Sequence, residues 1–166
     1  MITFYRILNF LLLVVAGLLL MAIFLMLPAV LSNPQLPLRV FAMICLVIYS
    51  YSSWIFLQRA VDRRLPCKPF LRDLIRVNAI VSIVVAVLIL AQGIIALNNP
   101  TMLTQEVDDL MGNVPQGADI SREQAMGYLK TGLKISMAYG AVVLVHTLLT
   151  FRLLKLYRHM FKQPEA

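Results

Sequence analysis

A chain of 166 residues that is 60% hydrophobic and only 14% charged, with a mean hydropathy of +0.82, is too apolar for an ordinary soluble domain. The two cysteines, Cys45 in an apolar run and Cys67 in a basic loop, exclude a secreted disulfide framework. The net charge of +7 is read as membrane topology and not as nucleic-acid binding, because there is no soluble module to present a nucleic-acid fold.

A helix rises about 1.5 Å per residue, so about 20 apolar residues cross the hydrocarbon core of a bilayer. The first run that long is 7–31, charge-free, with Asn9 as its one strong polar group. A signal peptide is the competing reading. The single Arg6 before the run, an apolar core far longer than usual and the lack of a small-residue cleavage site all favour a retained span. The turn 32–37 carries Pro34 and Pro37 and predicts a tight antiparallel pair with the second run, 38–57. Arg39 lies at the outer end of that second run, within snorkelling reach of the headgroups. Tyr49, Tyr51 and Trp54, mixed with Ser50, Ser52 and Ser53, form an aromatic-serine cluster in its inner half. That cluster reads as an interfacial belt or as the lining of a polar cavity.

The inner loop, 58–76, holds six basic and two acidic residues. Pro69 suits a first helical turn, and an amphipathic lead-in (Phe70, Leu71, Leu74, Ile75) then enters the third run, 77–97, with Asn78 and Gln92 near its ends. Interhelical hydrogen bonding accounts for Gln92. In the outer loop, 98–134, Thr101 is expected to cap a short helix with Leu103, Val107, Leu110 and Met111 on its apolar face, stopped by Gly112 and Asn113. The segment 114–118 reads as a turn. Ser121 and Gln124 then form a capping box, starting a helix expected to run unbroken to residue 162 through the fourth run, 135–154.

Eleven of the fifteen Lys and Arg residues fall on the side of the termini and inner loop, which places both termini in the cytoplasm of a multi-pass inner-membrane protein. The expected fold is an all-α four-helix membrane bundle forming a single domain over 1–166.

His146, near the middle of the fourth span, is the most conspicuous candidate site residue, because a titratable group at that depth is costly. Tyr139 and Thr150 share roughly its face, and Gln92, Tyr49, Ser50 and Ser53 are the polar groups that could meet it. The structural reading is an imidazole bonded to a neighbouring helix; the functional one is a relay or transport path, for which no span supplies an acid. Gly132, Ser136 and Gly140 recur every four residues, a packing pattern within the chain or between two copies. Arg63, Arg64, Lys68, Arg72, Arg76, Arg152, Lys155, Arg158 and Lys162 make a basic inner face suited to anionic lipid headgroups. No catalytic motif, metal-ligand spacing or cofactor box occurs, and the acidic residues Glu106, Asp108 and Asp109 read as a solvated helix face. The leading expectation is therefore a non-enzymatic accessory or scaffold protein whose partners are lipids, a second copy or another membrane protein. A small oligomeric transporter or channel through His146 and the helix-two serines comes next, and an intramembrane enzyme third.

Overall fold

The computed structural model describes residues 2–30, 36–112 and 121–161. All regular structure among them is helical: α1 (Ile2–Val30), α2 (Leu36–Phe56) running on as a π-helical turn (Leu57–Asp62), α3 (Pro69–Asn98), α4 (Pro100–Gly112) and α5 (Arg122–Leu156), with a closing 3-10 turn (Arg158–Phe161). Four helices are long and apolar enough to span a bilayer, namely Ile2–Pro28, Leu36–Asp62, Pro69–Asn98 and Arg122–Leu156. The chain divides into two compact units, Met1–Val85 with Val142–Ala166, and Ala86–Ala141.

In the first unit α1 packs against α2, with the start of α1 beside the end of α2, where Arg6 pairs with Asp62 at 2.5 Å. Leu12, Ala16, Ile75, Ala79, Val143 and Leu153 fill its core, while α1 turns Ile7, Phe10, Leu18 and Leu25 outward. Large apolar side chains exposed along a whole helix are stable only in an apolar surrounding. The π turn ends in a Schellman-like cap. Arg64, at φ 52°, occupies the left-handed position, and the amides of Arg63 and Leu65 donate back to the carbonyls of Gln58 (3.2 Å) and Arg59 (2.9 Å).

The short loop that follows is tied to the C-terminal turn, where the Cys67 amide donates to the Met160 carbonyl at 2.8 Å. Phe56 stacks on Phe161, with centroids 5.7 Å apart, and meets Tyr157 edge-on. These contacts explain why the last helix stops at Leu156 instead of continuing toward 162. No proline or glycine breaks it; tightening to a 3-10 turn is what buries Phe161 and presents the Met160 carbonyl to Cys67. Burial pushes the Cys67 thiol up from its ordinary pKa, against a weaker opposing pull from Arg59.

The second unit joins the end of α3, α4 and the first half of α5. Pro100 opens α4 at its first helical position, and the Asn99 carbonyl accepts from the Leu103 amide. The cap position is therefore Asn99, two residues earlier than the reading from Thr101. Thr101 lies inside the helix and donates its hydroxyl to Asn99 Oδ1 at 2.6 Å. Leu103 and Val107 are buried as their spacing implies, whereas Leu110 is half exposed. The turn expected at 114–118 and Asn113 lie outside the described residues. Ser121 and Gln124 form the reciprocal capping box, with the Gln124 amide donating to Ser121 Oγ (3.2 Å) and the Ser121 amide to Gln124 Oε1 (3.0 Å). Arg122 reaches Asp108 at 2.8 Å, tying this helix start to α4. From there α5 passes through 130–135 without interruption.

Candidate functional site

Each helix reaching the centre of the first unit carries polar residues one turn apart, and residues four apart share a helix face. Tyr5 and Asn9 come from α1, Tyr49 and Ser53 from α2, and His146 and Thr150, with Thr147, from α5; all are at most 1% exposed. Tyr49 hydroxyl lies 2.8 Å from His146 Nδ1 and 3.0 Å from Thr150 Oγ1, and Tyr5 hydroxyl lies 3.1 Å from the same Thr150 oxygen. Thr150 donates its own hydrogen to the His146 carbonyl at 2.9 Å. The Tyr5 ring stacks on the imidazole at 4.6 Å, 7° from parallel, while Tyr49 meets it edge-on.

Counting hydrogens fixes the donors. Thr150 has spent its hydrogen on a carbonyl, so its oxygen must accept from both tyrosines. Tyr49 then has none left for the imidazole, and its oxygen accepts from His146. All four contacts are satisfied only when a hydrogen sits on His146 Nδ1. On the far side of the ring Nε2 makes no hydrogen bond among the described residues. Ser53 Oγ and the Asn9 amide lie toward the Tyr5 hydroxyl without making a well-formed hydrogen bond. The cluster thus crosses three helices with strong bonds and stops short of complete pairing.

The sequence candidates divide around this cluster. His146, Thr150, Tyr49 and Ser53 come together in it. Ser50 is buried but satisfies itself on the Leu46 carbonyl one turn back (2.8 Å), and Ser52 does the same on Ile48. Tyr51 is exposed and Trp54 half-buried, with rings 6.1 Å apart, an arrangement an interfacial belt would have. Tyr139, two turns before His146 on α5, is half-buried and belongs to the second unit. So does Gln92, which is exposed, lines a groove with Gln105, Glu106 and Asp109 and makes no interhelical hydrogen bond among the described residues. Sequence reading noted Asn9 as the polar group of the first run but assigned neither it nor Tyr5 to the site. The available signal was their spacing of four, matching Tyr49/Ser53 and His146/Thr150.

Among the small residues only Gly140 is a close-packing position: a Cβ there would lie 3.2 Å from the Ala86 carbonyl oxygen and 3.5 Å from Ile89 and Leu90. Gly132 has open space around it and Ser136 is exposed. Gly93, not singled out in the sequence, packs against Met137 so closely that a Cβ would displace that side chain.

The basic residues also separate. Arg72 and Arg76 from the first two turns of α3 face Lys155 and Arg158 around a groove of about 330 Å³, walled by Phe151 and Leu154. A second hollow of about 610 Å³ shares Arg72 and Arg158 and adds His159, Leu156 and Phe161. The one acid paired to this group is Asp73, 3.0 Å from Arg72 Nε; Arg76, Lys155 and Arg158 have no acidic partner among the described residues. Arg63, Arg64, Lys68 and Arg152 are exposed and line neither hollow, and Lys162 lies outside the described residues. No three His, Cys, Asp or Glu side chains converge among the described residues. No protein-family model matches this chain, and neither the curated proteins nor the solved structures hold a match to it.

Proposed function

We propose that the chain is a non-enzymatic, multi-pass inner-membrane protein, with both termini cytoplasmic, that acts by holding anionic phospholipid headgroups at its inner face. The observation that carries this reading is the cationic groove of Arg72, Arg76, Lys155 and Arg158, with only Asp73 to offset it and apolar side chains for walls. A phosphodiester satisfies such a groove, because each arginine offers paired N–H donors to its oxygens and the low-dielectric wall strengthens the attraction. The buried polar cluster supports a structural part in this reading, tying α1, α2 and α5 together beneath that face. A transport path through His146 draws on the unpartnered Nε2 and is the second reading.

Extraction of the lipids that co-purify with the detergent-solubilised protein tests the proposal. Anionic phospholipid should be enriched several-fold over its share of the parent membrane, and an Arg76→Gln/Lys155→Gln variant should lose most of that enrichment while keeping its helical circular dichroism. Equal lipid profiles for the variant and the unaltered protein would refute it.

A further inference from the structure

We infer that the cationic groove selects a headgroup with two phosphodiesters over one with a single phosphate, an inference that rests on the lipid-binding reading above. The groove is two hollows with a shared wall, not one basin. Arg72 and Arg158 border both. The first hollow adds Arg76 and Lys155, and the second adds His159. Two phosphodiesters joined by a short polar linker can occupy the pair, with the shared guanidiniums donating to both. A guanidinium has five N–H donors, more than one phosphate uses. Arg72 spends its Nε on Asp73, which leaves its two terminal amino groups for this purpose.

The charge balance runs the same way. With Asp73 already set against Arg72, a single phosphodiester would still leave two of the four positive charges of Arg72, Arg76, Lys155 and Arg158 uncompensated, and like charges gathered against an apolar wall repel. A second phosphodiester in the same molecule neutralises more of them without the entropy of recruiting another lipid, an effective-concentration advantage. Half-buried Phe151 beside the first hollow and exposed Leu156 beside the second give each half of such a lipid its own apolar contact.

The test uses the whole protein in phosphatidylcholine nanodiscs doped either with diphosphatidylglycerol or with twice as many molecules of phosphatidylglycerol, so that the total lipid charge is equal. Retained lipid is counted by native mass spectrometry. The two-phosphate lipid should be retained at least tenfold better. Arg72→Gln/Arg158→Gln should abolish that preference, while Arg76→Gln/Lys155→Gln should weaken both lipids together. Equal retention of the two lipids overturns this inference and leaves the anionic-lipid reading standing; retention of neither overturns both. A third arm adds pyrophosphate to the buffer. If it displaces the lipid at comparable concentration, the groove serves a soluble anion and the lipid assignment falls.

Discussion

At the scale of single residues, the centre of the first unit turns on one hydrogen. Placing it on Nδ1 of His146 lets Thr150 and both tyrosines complete their bonds, and moving it to Nε2 would break one of them. Side-chain hydrogen bonds between membrane helices are worth about 0.6–2 kcal/mol. His146→Leu, which strands the Tyr49 oxygen, should therefore cost about 1 kcal/mol in thermal or denaturant unfolding in detergent. In a double-mutant cycle with Tyr49→Phe, the coupling should account for most of that loss. His146→Gln, which keeps a donor, should stay close to the unaltered protein. A His146→Gln variant of normal stability that loses a pH-dependent flux in proteoliposomes would instead establish the transport reading.

At the scale of helices, close approach is decided position by position. Gly140 faces the backbone of α3 at Ala86, so even a Cβ must push that contact apart, whereas Gly132 on the same helix meets nothing within 4 Å. Gly140→Val should destabilise the protein by about 1–3 kcal/mol through overpacking. Gly132→Ala should be neutral, or stabilising by up to about 1 kcal/mol from helix propensity. Unfolding midpoints of the two variants in the same detergent give the comparison, and equal losses at both positions would mean that Gly132 is also covered, as in a contact between two copies. The four-residue repeat of Gly132, Ser136 and Gly140 was visible in the sequence. Which member lay against α3 was not, because the repeat defines a stripe and leaves open how much of its length a partner helix follows.

At the scale of the whole molecule, the proposed topology carries the sharpest consequence. With both termini inside, reporter fusions at Ala166 and within 113–118 should report opposite compartments, and the same compartment for both would sink it. The helix lengths accommodate the arrangement. At about 1.5 Å per residue, the 35 residues of α5 exceed what the hydrocarbon core requires, leaving its charged first turns, with Glu123 and Lys130, free to stand outside the bilayer. In the first unit the start of α1, the end of α2 and the loop after it, the start of α3 and the end of α5 bring cations to one face, against the two acids Asp62 and Asp73 among the described residues. A headgroup-binding function would require that imbalance, and a simple positive-inside bias also produces it. The headgroup proposal rests on the confinement of four of those cations to one walled groove.

The sequence by itself determined the four apolar helices, the capping box at Ser121 and Gln124, the start of α3 at Pro69 and the grouping of basic residues, because each is a property of consecutive residues. Hydropathy summed over a span and hydrogen bonds reaching three or four positions need no knowledge of the rest of the chain. Only the tertiary structure decided that Tyr5 meets Thr150 across 145 positions, that Tyr49 and not Tyr51 turns inward to His146, and that α5 gives way to a 3-10 turn to seat Phe161 on Phe56. Those outcomes depend on the rotation and register of one helix against another. Apolar residues nearly all around the span helices leave that rotation unspecified by pattern, so the few buried polar groups and glycines set it where they meet.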